Sequence, residues 1–136
     1  MELVIDANIL FAALIKDSTT AKLITNSVFT LFAPTFLIKE FEKYKKEIIR
    51  KTRRSVKEFN AYYMLVSQRI NLLEDDEIFS FLDEAKEISP DPGDISYFAV
   101  ALAKNIAYWS NDAKLKNQTK IQIYTTKDII DLIELN

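Results

Sequence analysis

Apolar residues in this chain come in short unbroken blocks, separated by longer stretches in which they recur every three or four positions. Leu3-Val4-Ile5 is the first block. A short apolar run rich in β-branched residues reads as a strand buried on both faces, the kind found in parallel sheets. Similar blocks follow at Val28 to Ala33, Ile70 to Leu73, Ala107 to Ser110 and Ile121 to Tyr124. Together with a first strand over about Glu2 to Ile5, they predict five strands.

The intervening stretches carry the helical period. A helix is expected from about Asn8 to Ile15, and a short one through Ala21 to Asn26 after the turn-forming Asp17-Ser18-Thr19-Thr20. Pro34 ends the second strand, and Thr35 is a candidate N-cap for a long helix with Phe36, Leu37, Phe41, Tyr44 and Ile48 on one face. Ser55 to Gln68 places Val56, Phe59, Tyr63 and Val66 together. Asp76 to Ile88 does the same for Ile78, Phe81, Leu82, Ala85 and Ile88. Ser89-Pro90-Asp91-Pro92-Gly93 then breaks the pattern. A helix rich in small residues spans about Asp94 to Lys104, and a last one starts at Thr126 or Asp128 and runs to about Leu135. Strands alternating with helices predict a layered α/β fold around a mostly parallel sheet.

Composition narrows the chemistry. The 136 residues are 49% hydrophobic, enough for one globular domain with a real core. The sequence has no cysteine and no histidine. That excludes thiolate and imidazole metal sites, Cys or Ser–His catalysis and any disulfide framework. Carboxylate chemistry remains. Absence of cysteine agrees with a reducing cytoplasm, where we expect the protein. Glu2 stands where a signal peptide would be basic, and no apolar run approaches the roughly 20 residues of a membrane span, so no membrane association is expected.

Charge is segregated. Lys39 to Lys57 holds nine Lys/Arg against three Glu, whereas Glu74 to Asp94 holds nine acids against one Lys. The plain reading is two solvated helix faces. The sharper one is a polyanion-binding face beside an acidic site.

Four acids stand out by position. Asp6 ends the first buried strand, at the sheet edge where α/β folds bind ligands. Asp112 follows Trp109-Ser110-Asn111 in the same relation to a later strand, although a turn or N-cap would also explain it. Glu40 lies along the apolar face of its helix, with Phe36, Leu37 and Tyr44 at helical spacing. It either borders a polar cavity or packs its stem and sends its head to water. Asp94 falls on the packed face with Phe98 and Ala101. Asp91-Pro92-Gly93-Asp94 is equally well explained as an N-cap, a Pro at the first helical position and an acid complementing the dipole. Carboxylates gathered in one place repel unless protons or cations neutralise them. Without His or Cys, the fitting neutraliser is a hard cation, Mg²⁺ or Mn²⁺.

Val4-Ile5-Asp6-Ala7-Asn8, Pro34-Thr35-Phe36-Leu37-Ile38-Lys39-Glu40, Asp94 with Ala99-Val100-Ala101-Leu102-Ala103, Trp109-Ser110-Asn111-Asp112 and the closing Ile123-Tyr124-Thr125-Thr126 occur in this order over essentially the whole chain. In this the sequence resembles the PIN domain, the fold of VapC-type toxins and other metal-dependent ribonucleases. The resemblance implies a three-layer α/β/α fold, with residues 1–136 as a single PIN-like domain. It implies a Mg²⁺ or Mn²⁺ site built from Asp6, Glu40, Asp94 and Asp112. Asn8 and Ser110 fall at positions that are often polar supports, and Asp91 where some relatives carry an additional acid. It further implies RNA as substrate, a small antitoxin protein as partner and a homodimer. Lys39, Lys43, Lys46, Arg50, Arg54 and Lys57 recur every three or four residues, and on a continuous helix they would form a stripe suited to a phosphate backbone. Tyr62, Tyr63 and Tyr97 are candidates for base stacking or for core packing.

Two rivals remain. An aspartyl phosphatase of the haloacid-dehalogenase type would use Asp6 as nucleophile, but it wants acids where Asn8 and Phe98 stand. A PIN-like RNA-binding or assembly module with little catalysis keeps the fold, and metal titration separates it from the nuclease.

Overall fold

The structure is a computed structural model that describes residues 1–16 and 19–134. Among those residues five strands form one sheet: β1 (Glu2–Ile5), β2 (Thr30–Pro34), β3 (Ile70–Leu73), β4 (Ala107–Trp109) and β5 (Ile123–Tyr124), in the order β3-β2-β1-β4-β5. All four pairings are parallel. β1 is central, with Leu3 opposite Leu31 on one side and Ala107 on the other. Leu3, Val4 and Ile5 are fully buried, as an apolar run covered on both faces must be.

Helices α1 (Ala7–Ile15), α2 (Thr19–Ile24), α3 (Phe36–Lys51) and α4 (Val56–Ser67) fill the first half of the chain. Helices α5 (Asp75–Ile78), α6 (Leu82–Ile88), α7 (Ile95–Lys104) and α8 (Thr126–Glu134) fill the second. The layers are α/β/α. α1 packs on α2 and α3, and α7 lies against β1, β2 and β4. The small side chains Ala99 and Ala101, both fully buried, let α7 approach the sheet closely. Asn105 ends α7 in the left-handed conformation, at φ 55°. No described helix is long and apolar enough to cross a membrane.

Several local expectations are corrected. β2 starts at Thr30 because the Val28 N–H is taken by the Asn26 side chain in a turn. Thr35 does not cap α3 with its side chain. It is already helical, and its hydroxyl donates to Asp75 Oδ1 at 3.5 Å. Phe36 and Tyr44 sit at the edge of the buried face of α3, and Val56 points outward from α4. The single helix expected over Asp76 to Ile88 is interrupted by a 3₁₀ turn at Phe79–Phe81, which leaves Phe79 74% exposed while Ile78 and Ala85 stay buried. The last strand is shorter than expected. The Gln118 side chain takes both the Ile121 N–H and the Ile121 carbonyl, groups a longer strand would need for its ladder. Asp17, Ser18 and Leu135, named in the turn and closing-helix expectations, lie outside the described residues.

The continuous basic stripe is also corrected. α3 stops at Lys51, Thr52 turns extended, and Ser55 starts α4 through a reciprocal capping box with Glu58. Only Lys39, Lys43, Lys46 and Arg50 of the proposed stripe share one helix. Arg54 points into the scaffold. Its guanidinium donates to the Leu14 carbonyl at 2.9 Å and to Thr52 Oγ1 at 3.1 Å, and lies 4.0 Å over the Tyr62 ring. Tyr63 stacks 4.3 Å from Phe41, so Tyr62 and Tyr63 serve packing.

Arg54→Ala should therefore destabilise the fold by about 1–3 kcal/mol, the cost of leaving charge-assisted bonds unmade. Arg50→Ala, which loses an exposed 3.9 Å pair with Glu47, should change stability by less than about 1 kcal/mol. Urea denaturation of both variants measures the difference, and equal effects would contradict the scaffold role of Arg54.

Candidate active site

β1 ends at Ile5, and the chain crosses from sheet to helix at Asp6. The Asp6 backbone N–H still donates to the Trp109 carbonyl at 3.1 Å, so Asp6 is pinned to β4. Its side chain caps α1, with Oδ1 accepting from the Asn8 N–H at 3.4 Å. Oδ2 accepts from the Ser110 hydroxyl at 2.6 Å. Asp6 is only 6% exposed, and it is the one buried carboxylate among the described residues. Burial raises its pKa. The Ser110 and Asn8 bonds oppose that rise, and the charge of Asp112 adds to it.

Ser110 Oγ also accepts from the Asp112 N–H at 3.1 Å, which turns the chain just past β4. Asp112 caps the 3₁₀ turn Ala113–Asn117 through the Lys114 N–H at 3.1 Å, so the turn-and-cap reading of this residue holds. Because β1 and β4 run parallel, Asp6 and Asp112 leave the sheet at the same edge. Asn111 beside it grips Thr126 at the start of α8, in two bonds of 2.8 and 3.1 Å.

Glu40 comes from α3, one turn after β2 reaches that same edge. The Tyr97 hydroxyl on α7 donates to Glu40 Oε1 at 2.5 Å. Burial raises the Glu40 pKa, the Tyr97 bond opposes this, and the charge of Asp6 reinforces it. Asp94 sits at the entrance of α7, where Asp91 caps the preceding turn by accepting from the Gly93 N–H at 2.8 Å and Pro92 takes the first position. Its Oδ1 accepts from the Tyr108 hydroxyl of β4 at 3.2 Å. Burial, with the charges of Asp6, Asp91 and Asp112, lifts Asp94 to about 6, against the opposing Tyr108 bond.

A common construction emerges. Asp6, Glu40 and Asp94 are each held by a hydroxyl on one oxygen, from Ser110, Tyr97 and Tyr108. Tyr97 and Tyr108 are themselves buried, and burial together with the carboxylates pushes both phenols far up, so they act as donors. The two rings stack at 6.1 Å beneath the acids. The tyrosines were not singled out as carboxylate partners in the sequence. The available signal was Tyr97 three residues after Asp94, one helical turn on the same face.

The structure thus brings Glu40, Asp94 and Asp112 each within electrostatic reach of Asp6, and Asp94 within reach of Asp112. Ser110 supports Asp6 directly, Asp91 only shapes the turn before Asp94 through the Gly93 N–H, and Asn8 contributes its backbone N–H while its side chain is exposed. Tyr97 belongs to this support and not to an exposed stacking surface. Among the described residues, no group of three or more acidic side chains is close enough together to hold a metal ion as it stands. The donor set is all oxygen, and its members share mutual repulsion. That chemistry fits a hard cation which keeps part of its water shell.

An acidic cluster at the carboxyl edge of a parallel α/β/α sheet defines a class, and a family model described as the PIN domain matches residues 4–130. The chain belongs to the PIN-domain family. PIN domains are generally nucleases that use divalent metals, which places the chain among hydrolases acting on nucleic acid at the level of its family. A crystal structure of VapBC2 from Rickettsia felis, bound to a DNA fragment from their promoter, shares the fold. It has a TM-score of 0.69 at 12% identity, covering 92% of this chain and 98% of that one. No curated protein matches the sequence.

A raised carboxyl pKa has a sign in stability. Asp94 binds its proton more tightly folded, near 6, than unfolded, near 3.8, so its favourable contribution is complete below about 3.8 and disappears as pH rises through 6. Metal-free wild type should lose stability relative to Asp94→Asn between pH 4 and pH 7. Thermal melts of the two in EDTA across that window test this. A constant difference in Tm would show that Asp94 is not crowded by its neighbours.

Proposed function

We propose that this protein is a metal-dependent ribonuclease that hydrolyses RNA phosphodiester bonds at a Mg²⁺ or Mn²⁺ site formed by Asp6, Glu40, Asp94 and Asp112. The observation that carries this is the clustering of these acids at one sheet edge, where Asp6, Glu40 and Asp94 all hold protons more tightly than usual. When bound, the cation supplies Lewis-acid polarisation of the phosphate and a readily deprotonated water.

The residues around it do the positioning. Ser110, Tyr97 and Tyr108 each fix one oxygen of Asp6, Glu40 and Asp94, so these carboxylates would meet a cation already oriented. Asp112 is braced by the backbone of its own turn. Asp91 holds the entrance of α7, and Asn8 lies beside Asp6 at the start of α1. No histidine is required, because these carboxylates would themselves hold the cation.

The exposed side chains of Lys39, Lys43, Lys46 and Arg50 run down α3 from Glu40 and steer the RNA backbone, joined by exposed Lys57 on α4. Arg54 is left to the scaffold. We further propose that the protein is the toxin of a toxin–antitoxin pair, acting on RNA in the cytoplasm as a single PIN-like domain. Its partner is a small antitoxin protein, and it forms a homodimer. Support comes from the VapBC2 structure that shares its fold and from exposed Val56, Met64 and Leu65 on α4, apolar surface suited to a protein partner.

Cleavage of diverse RNAs should appear with Mn²⁺ or Mg²⁺ and vanish with EDTA. Asp6→Asn should stay folded and lose cleavage by more than the roughly 10–100-fold typical of removing an outer partner. Ser110→Ala should fall within that range. Full Mn²⁺-dependent activity in Asp6→Asn would overturn the site, and an Mn²⁺-indifferent protein that still binds RNA would favour the binding-module reading.

Charge reversal at Lys46 and Arg50 should weaken RNA binding and flatten its dependence on salt. Filter binding from low to high salt reads both. An unchanged slope would return these side chains to an ordinary solvated face.

A further inference from the structure

Beside the acidic site lies a cavity of about 480 Å³, walled by the start of α3, by α5 and by the entrance of α7. Its position ties it to the acids on two sides. Lys39 at its rim immediately precedes Glu40, and Gly93 on the opposite wall immediately precedes Asp94. The Phe36 ring on its α3 wall meets Tyr97 edge-on at 6.5 Å, and Tyr97 holds Glu40.

The lining is unusual for a surface hollow. Phe79 and Phe36 both border it, 74% and 37% exposed, so one ring stands largely in water and the other, held edge-on by Tyr97, keeps part of its surface open to the cavity. Among these rings are a few polar groups: Asp75, Thr35, Ser96 and Lys39. Apolar walls with sparse polar groups are the makeup of a small-molecule subsite, and two exposed rings suit a flat heterocycle better than an aliphatic side chain.

Asp75 decides which heterocycle. An ionised carboxylate accepts hydrogen bonds and donates none. The hydrogen bond the structure gives it, from the Thr35 hydroxyl, is long at 3.5 Å, so this exposed carboxylate at the cavity wall retains acceptor capacity. A guest with two adjacent N–H donors satisfies both oxygens at once. Among the RNA bases, guanine offers that pair on its Watson–Crick edge, in N1–H and the 2-amino group. Single-stranded RNA is characteristically read this way, by stacking a splayed base and bonding its Watson–Crick edge.

We propose that this cavity is a nucleobase subsite that takes a guanine next to the scissile phosphate, with Phe79 stacking on the base and Asp75 reading its Watson–Crick edge. It rests on the ribonuclease reading for its place beside the reacting phosphate. Asp75 and Phe79 are then specificity-determining residues that touch the base and not the reacting phosphate. Lys39 meets the phosphate at the rim.

The test uses the whole protein in EDTA, titrated with 5′-GMP and 5′-IMP and followed by calorimetry. The two nucleotides carry the same charge and differ only in the 2-amino group. GMP should bind at least tenfold more tightly. Asp75→Asn should bring the ratio close to one, and Phe79→Ala should weaken both nucleotides while retaining the preference. Thermal melts verify that each variant is folded.

Equal affinities in the wild type, or a preference that survives Asp75→Asn, would overturn the subsite. So would a Phe79→Ala protein with unchanged GMP binding and a smaller mass by light scattering, because the cavity would then belong to an interface between copies. The outcomes separate from those for the catalytic reading. RNA cleavage without nucleotide discrimination removes the subsite and leaves the ribonuclease. GMP preference without cleavage under any metal removes the ribonuclease and leaves the subsite.

Discussion

A carboxylate buried at the end of the central strand is the constraint on which everything else depends. Removing a charge from water costs far more than a single hydrogen bond returns, so such a group persists only when its surroundings are fixed around it. At Asp6 the fixing comes from the two neighbours of one strand end. The backbone N–H is committed to Trp109, and the side chain to Ser110. β1 and β4 must therefore keep their register to within one residue. A slip would place Trp109 or Asn111 where Ser110 now stands. The same hydroxyl accepts the Asp112 N–H, so the turn after β4 is set by the need to satisfy the acid at the end of β1.

The other acids repeat the solution with different parts. Glu40 and Asp94 are held by phenols because their partners must reach across the gap between α3 and α7, and between α7 and β4. A serine is long enough only where two strands adjoin. Tyr97 and Tyr108 thus belong simultaneously to the core and to the acidic edge. Their rings stack within the apolar layer and their hydroxyls terminate it. This ties the acidic edge to the core below it through the same side chains.

The sequence carried much of this in its block pattern. Leu3-Val4-Ile5 and Ala107-Tyr108-Trp109 could only be buried strands, and strands of that kind announce parallel pairing. The acids at their ends were visible for the same reason, since a polar residue directly after such a block has one place to go. Less legible were features that depend on side chains meeting from distant segments. Nothing in the spacing of Arg54 separates it from Arg50, yet one anchors a helix junction through Leu14 while the other faces water. The break at Phe79–Phe81 was equally hidden, because the apolar period continues smoothly through it. Tyr97 read as a core aromatic, which it is. Its second duty depends on Glu40, 57 residues earlier.

The bond between Ser110 and Asp6 joins residues 104 apart. During synthesis β1 emerges first, but its β4 neighbour is added about a hundred residues later. Until then one edge of the central strand is open and Asp6 lacks the hydroxyl that permits its burial. Contacts this distant in sequence slow folding, because the loop must close before they return any stability. The acidic edge is therefore a late product of translation. A chain that has formed only β1, β2 and their helices holds Asp6 and Glu40 but lacks Asp94, Asp112 and the Ser110 hydroxyl, so the pairing of β4 with β1 is the step that brings the acids together.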